Sequence, residues 1–229
     1  MSYPINYPTP QNANVQIFTA QIPAGDNRKN QNWVKPQGAS FVWFTLIGGG
    51  SAGDAGSGVG GSSGAVTNFM CPAFLIPDEL SIIVGNGGAG SAGASGGGTG
   101  VYYQEKTGTG YVLLQANPGG GGAGGTASTS NYFTAMGFFQ SIAGQAGSGG
   151  TVNPSATTFL SGGGAGPNDV NANYGYTNNG TSGWFQMSPI IVGVGGRGQS
   201  PNSIGGIGCG GGATGNSGGG PGLCIIITW

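Results

Sequence analysis

Histidine is absent from the 229 residues, and with it goes the commonest general base and metal ligand. Charge is almost as scarce: five Lys or Arg and six Asp or Glu leave a formal net charge of −1. No basic stripe can be assembled from so few cations, so no nucleic-acid partner is expected. No apolar run reaches the roughly 18 residues of a spanning helix, so no membrane span is expected. The start, Met1-Ser2-Tyr3-Pro4, has neither a charged opening nor an apolar core, and no secretory signal is read there. Only three cysteines occur, Cys71, Cys209 and Cys224. The number is odd and no two have metal-binding or redox spacing. Cys224 lies in an apolar run and reads as a buried free thiol. A Cys209–Cys224 or a Cys71–Cys209 bridge stays open at this level.

What the chain has in excess is glycine. It holds 55, where ordinary proteins carry roughly 7%. Gly-rich and Ser-rich chains often stay unfolded. Here, however, 37% of residues are hydrophobic and 10% aromatic. They cluster in discrete runs, as a folded chain requires. Glycine is also uneven along the chain. Residues 1–40 contain only Gly25 and Gly38, whereas glycine is dense from Gly48 onward. An extended N-terminal arm, 1–32, is therefore separated from a glycine-rich β body, 33–229. The arm opens Tyr3-Pro4 and Tyr7-Pro8-Thr9-Pro10, a polyproline-like stretch, and Val15–Ala20 can add a strand. Such an arm is suited to tie a subunit to its neighbour.

The body reads as all-β: a short-stranded β-sandwich with glycine-rich tracts. Strands are expected at Phe41–Ile47, Leu80–Val84, Val101–Gln104, Tyr111–Gln115, Ile190–Val194 and Leu223–Thr228. Each is short, rich in β-branched or aromatic residues, and bounded by Gly, Pro or Asn. Phe41–Ile47 and Leu223–Thr228 lack polar alternation and should be buried on both faces. One helix candidate, Asn131–Ser141, is weakened by Gly137. Between the strands run the glycine tracts 48–64, 85–100, 118–125, 144–150, 162–166 and 195–222. An ordered glycine costs roughly 0.5–1 kcal/mol more than an alanine. Packing the tracts side by side as extended polyglycine-type helices offsets that cost by satisfying backbone groups. Collagen is excluded, because no strict Gly-X-Y period exists. If the tracts are packed, alanine at Gly211, Gly212, Gly218 or Gly219 should meet backbone.

Several catalytic patterns occur by composition alone. Gly85-Asn86-Gly87-Gly88-Ala89-Gly90 fits GxGxxG after a strand, but glycine and serine follow where a phosphate-binding helix must start. Ser62 and Ser95 each sit in GxSxG, and a nucleophilic serine there needs a base, usually histidine. The carboxylates Asp26, Asp54, Asp78, Glu79, Glu105 and Asp169 are scattered. An Asp54–Glu105 pair could form only through folding. No enzymatic activity, cofactor or metal site is expected, and no catalytic residue is assigned.

An ordered series of features spans Trp33 to Trp229. Trp33-Val34-Lys35-Pro36-Gln37-Gly38 leads into Phe41–Ile47 and breaks at Gly48-Gly49-Gly50. Pro72-Ala73-Phe74-Leu75-Ile76-Pro77-Asp78 then precedes Leu80–Val84 and Gly85-Asn86-Gly87-Gly88. A long glycine tract closes with Pro221-Gly222 and Leu223–Thr228. In this order the body resembles the glycine-rich domains of phage tail fibres, tail-tip adhesins and related virion structural proteins. The resemblance implies a virion structural protein (fibre, spike or capsid decoration), with attachment to a host-surface glycan or protein as a further role. It implies a homo-oligomer, with a trimer as the first expectation, joined to other virion proteins through the N-terminal arm. The alternative is a cellular glycine-rich extracellular filament or matrix protein. Residues 131–190 depart from the pattern and are richer in Asn, Tyr, Phe and Thr. Tyr174, Tyr176, Trp184 and Phe185 are the candidate receptor contacts, since aromatic side chains give large contact area at low entropic cost.

Overall fold

The computed structural model describes residues 13–20, 30–90, 92–104, 110–128, 137–147, 185–187, 190–193, 204–215 and 217–229. Eleven strands are seen among them, and every paired strand runs antiparallel to its neighbour. They are β1 (Asn14–Thr19), β2 (Gln31–Val34), β3 (Phe41–Ile47), β4 (Val66–Pro72), β5 (Glu79–Ile83) and β6 (Thr99–Gln104). The rest are β7 (Gly110–Ala116), β8 (Phe138–Ile142), β9 (Phe185–Met187), β10 (Ile190–Gly193) and β11 (Leu223–Thr228). A five-stranded sheet has the order β1-β11-β3-β4-β8, and a four-stranded sheet the order β2-β5-β6-β7. β9 and β10 make a separate two-stranded ladder. The all-β expectation holds. Of the helix candidate Asn131–Ser141, residues 131–136 lie outside the described residues, and the rest is not helical, since Phe138–Ile142 pairs as β8 along β4. Gly137 precedes that strand, and a Cβ there would meet the Met70 carbonyl oxygen. Cross-strand pairing of Phe139 with Phe69 outweighs whatever helical tendency the segment has.

The two larger sheets face each other across one core. From the five-stranded sheet come Phe18, Val42, Phe44, Leu46, Phe69, Cys71, Cys224 and Ile226, and from the other Trp33, Leu80, Ile82, Val101 and Leu114. Phe44 links the layers: its ring lies 6.1 Å from Trp33, edge to face, and 6.4 Å from Phe69. The alternating positions of β3 and β11 face the opposite way. Toward one end of the sheet these are buried as well, with Ile47, Val66, Leu223 and Ile225 forming a second cluster against Ile207. The two-sided burial read for β3 thus holds from Phe44 onward, while Phe41 at its start is exposed.

The register shows why that end differs. Thr19, Leu223, Ile47, Val66 and Ile142 lie in one row across the sheet. Beyond the row lie the described glycine segments, which gather at this end of the sandwich. Residues 48–53 run through their middle. The amide N–H groups of Gly48 and Ser51 donate to Ala65 and Ser62. Those of Gly49 and Ala52 donate to Gly97 and Ala94, and those of Gly50 and Gly53 to Gly220 and Ser217. Successive residues therefore address three different neighbours, and every third residue returns to the same one. The carbonyls of Gly49, Gly50 and Ser51 accept from three further segments, at Gly119, Gly88 and Gly211. The step of three recurs elsewhere: Gly61 and Gly64 donate to Gly211 and Gly208, and Gly219 and Gly222 to Gly88 and Gly85. The sheets are tied in at the junction, where Thr99 Oγ1 donates to the Ile47 carbonyl (2.6 Å) and accepts from Gly85 N–H (3.2 Å).

Cross-linking of this kind brings backbone against backbone. A Cβ placed on Gly50 would strike the Cys209 carbonyl, one on Gly210 the Gly61 carbonyl, and one on Gly219 the Gly50 carbonyl. Gly211 is blocked by Ser217 in the same way, whereas Gly218 meets only Gly88 O, at 3.1 Å. Gly110 and Gly120 have ordinary contacts, at 3.9 and 3.7 Å. Alanine at Gly50, Gly210 or Gly219 is expected to destabilise the fold by about 1–3 kcal/mol, as overpacking does. At Gly110 or Gly120 it should be neutral or slightly stabilising, because it restricts only the unfolded chain. Thermal unfolding of the five single variants checks this, and equal midpoints across the two groups would show that the contacts do not bear on stability.

Candidate functional site

Three of the four aromatic contact candidates, Tyr174, Tyr176 and Trp184, lie outside the described residues. Phe185 opens β9 opposite Gly193 of β10, and only its backbone is described. The described surface offers two other regions, one at each end of the sandwich.

The glycine end is chemically quiet. Three of its serines turn their hydroxyls inward onto backbone, whereas Ser57 and the GxSxG serine at 95 are exposed. Ser51 Oγ donates to the Gly120 carbonyl (3.0 Å) and accepts from Ser62 N–H (2.7 Å). Ser62 Oγ accepts from Gly147 N–H (3.1 Å), and Ser63 Oγ from Gln145 N–H (2.7 Å). Ser51, Ser62 and Ser63 are fully buried. The GxSxG serine at 62 is thus a hydrogen-bonding plug between segments. In the GxGxxG stretch, Gly85 N–H goes to Thr99 Oγ1 and Gly88 N–H to the Gly50 carbonyl, so neither points at a ligand. Asp54 sits in an exposed turn, accepting from Ser57 Oγ (2.7 Å) and Gly56 N–H (2.9 Å). Its pKa is lowered first by the Ser57 hydroxyl and then by the Gly56 amide. Glu105, its conceivable partner, lies outside the described residues. Among the described residues no cluster of His, Cys, Asp and Glu could hold a metal ion.

The opposite end is aromatic. Here β1 begins and β11 ends, with Asn14 paired to Thr228. Trp229 exchanges backbone hydrogen bonds with Phe41 and stacks on it, with ring centroids 5.9 Å apart. Phe41 pairs with Pro72 of β4, which runs directly into the 3-10 turn Ala73–Leu75. Phe74 projects from that turn and is 81% exposed. The turn is pinned from below by Lys35. Its ammonium donates to the Ala73 and Ile76 carbonyls (3.1 and 3.0 Å) and pairs with Asp78 (2.7 Å). Gly38, at φ +79°, supplies the left-handed residue that brings the Lys35–Ser40 connection round into β3. The motif residues from Trp33 to Gly38 and from Pro72 to Asp78 are therefore one unit, a clamp under an exposed phenylalanine.

The sequence that builds this sandwich and its cross-bonded glycine segments matches a known family. The model of the glycine-rich domain covers residues 26–226. The chain belongs to the glycine-rich domain family. The matched span takes in β2 to β10 and the first four residues of β11, together with the described part of the bundle, and leaves β1 outside it. No curated protein matches the chain. Among the described residues, no helix of this glycine-rich domain is long and apolar enough to cross a membrane.

The domain's sulfur is shut away as well. Cys71, Cys209 and Cys224 are all buried, and no disulfide joins any two of them. This resolves the open bridge alternatives and bears out the buried Cys224 thiol. Burial pushes the Cys71 thiol up to about 11 and raises that of Cys224 still further. A thiol whose folded value lies above its unfolded value of 9.0 adds stability below that value. Stability should therefore decline as pH rises from about 9 toward 11. The companion expectation is that iodoacetamide at pH 8 leaves all three thiols of the native protein unmodified and labels all three in guanidinium. Mass spectrometry of the two samples checks it, and fast native labelling of Cys71 or Cys224 would contradict the burial.

Proposed function

We propose that this glycine-rich domain is a non-enzymatic structural part of a virion: a fibre, spike or capsid decoration. The observation that carries the reading is the six-sided bonding of residues 48–53. Three neighbours bonded through N–H groups and three through carbonyls, with a return every third residue, are what a bundle of extended polyglycine-type helices requires. Such a helix has three residues per turn and no internal hydrogen bonds, so all its polar groups face neighbours. This gives a stiff body built from backbone, with little charge and with the hydroxyls of Ser51, Ser62 and Ser63 buried. Stiffness without chemistry suits an external particle component.

In this reading the domain assembles as a homo-oligomer, a trimer first, bound to other virion proteins through the N-terminal arm. Contact with a host-surface glycan or protein falls to the aromatic segment with Tyr174, Tyr176, Trp184 and Phe185. Immunogold labelling of particles from the source organism, using antibody raised to the purified chain, is expected to decorate particle projections. Gold confined to a cell-surface matrix would overturn the virion role in favour of a cellular filament. Amide hydrogen exchange tests the bundle independently. Gly50, Gly61 and Gly211 should be protected as strongly as the core strands, and exchange as fast as in exposed loops would remove the helix bundle.

A further inference from the structure

The face of the five-stranded sheet that is turned away from the core is apolar across its whole width. The register places Val15, Ile227, Trp43, Met70 and Phe138 in one row over β1, β11, β3, β4 and β8. Val15 and Phe138 at its ends are 47% and 52% exposed, and the three between them are half-buried. Toward the aromatic end the face goes on through Trp229, Phe41 and Pro72. Toward the glycine end it is covered, since Ile207 packs there on Ile47, Val66, Leu223 and Ile225. Between the row and that cover, Thr45 Oγ1 donates to Asn68 Oδ1 (2.8 Å), so these polar groups are engaged with each other. None of the five strands contains Asp, Glu, Lys or Arg. The outward positions of the four-stranded sheet, by contrast, include Asn32, Glu79 and Ser81.

The chemistry of the bare half selects its partner. A charged or strongly polar surface laid on it would lose water and gain no pairing in return. The partner has to be as flat, apolar and uncharged as the face itself, and a second copy of the chain presents that surface. Its apolar side chains offer roughly 600 Å², the upper limit for a patch on a monomer and near the 800 Å² that one side of a stable interface buries.

The width of the face sets the number of copies. Four strand steps of about 4.8 Å make the row roughly 19 Å long. Three rows of that length, closed into a triangle, stand roughly 5.5 Å from its centre, about half of the 10 Å at which sheet faces pack. Side chains alone then fill the interior. A square of four would hold its sides roughly 10 Å from the centre and leave a void.

We infer that this face is where copies of the chain join, three around one axis, with the Val15–Phe138 rows as the closing layer. The inference rests on the homo-oligomer proposed above and gives that contact its place. The segment carrying Ile207 thickens the face on the glycine side, so the three bodies diverge in that direction. Residues 1–12 take no part and stay assigned to other virion proteins.

Sedimentation velocity of the intact chain should give the mass of three chains. The variant Val15→Lys/Phe138→Lys, which puts charge at two exposed positions of the row, should sediment as one chain and still unfold cooperatively. The control Val34→Lys/Val112→Lys, on the other sheet, should keep the three-chain mass. A wild-type chain of single-chain mass would overturn the homo-oligomer itself, and flotation of that monomer with phosphatidylcholine vesicles would assign the face to lipid instead. A three-chain mass kept by Val15→Lys/Phe138→Lys would leave the oligomer standing and remove it from this face. Photo-cross-linking covers a variant that fails to fold. With Phe138→benzoylphenylalanine in the otherwise native chain, irradiation should join position 138 to the β1 peptide of another copy. Products of one-chain mass only, or links to other surfaces, would refute the contact.

Discussion

Contact between bare backbones is the constraint on which this molecule depends. At Gly50, Gly64, Gly210 and Gly219 the space where a Cβ would stand is filled by a carbonyl group of another segment. Two peptide chains can approach that closely only where neither carries a side chain at the point of contact. The same approach lets each N–H find a carbonyl on a neighbour, so steric need and hydrogen-bond satisfaction are met by one residue type. Glycine is thus both the problem, through its entropy, and the answer, through its size.

The two halves of the fold divide this labour. In the sandwich, apolar side chains set the register: Phe44 sits between Trp33 and Phe69, and the rows of β1, β11, β3, β4 and β8 follow from pairing inward-facing positions. In the bundle no such side-chain code exists. The register there is inherited from the strands. Ile47, Leu223 and Val66 end one row, so Gly48, Gly222 and Ala65 enter the bundle already side by side. Thr99, bonded at once to Ile47 and Gly85, fixes the second sheet's segments to the first.

This division explains what the sequence discloses. β3 and β11 are legible to the residue, because FVWFTLI and LCIIIT contain little but β-branched and aromatic residues. β4 escapes a reading of the sequence, because Asn68 and Pro72 disguise a strand whose inward positions, Phe69 and Cys71, are apolar. β8 reads as part of a helix for as long as its partner β4 goes unrecognised. That the tracts pack on backbone can be argued from glycine's cost alone. Which glycines face inward cannot: Gly218 and Gly219 are adjacent and chemically identical, yet only the second is shut in by backbone. Their difference lies in a threefold step whose phase is set by distant strands. The clamp of Lys35 beneath Phe74 is hidden for a similar reason. Its residues stand out in order along the chain, but their junction is made by β2 pairing with β5, which brings Lys35 N–H to the Asp78 carbonyl at 2.7 Å.

The energetics point to a bundle that cannot stand alone. A net backbone hydrogen bond contributes about 0.5–1.5 kcal/mol. Fixing one residue's backbone costs about 1–2 kcal/mol before glycine's surcharge is added. A segment such as 48–53, with bonds to every side, comes close to balance at best. The deficit has to be met by the apolar core of the sandwich, and by the second cluster of Ile47, Val66, Leu223 and Ile225, which lies at the junction. Ile207 has its importance here. It is carried by a glycine-rich segment, 204–211, yet packs on the sheet, so it joins the bundle's backbone network to a hydrophobic anchor. Rigidity in the glycine end is therefore borrowed from the strands: within the described part of the tract 195–222, Ile207 packs on the second cluster, and the tract runs on into Leu223 of the same cluster.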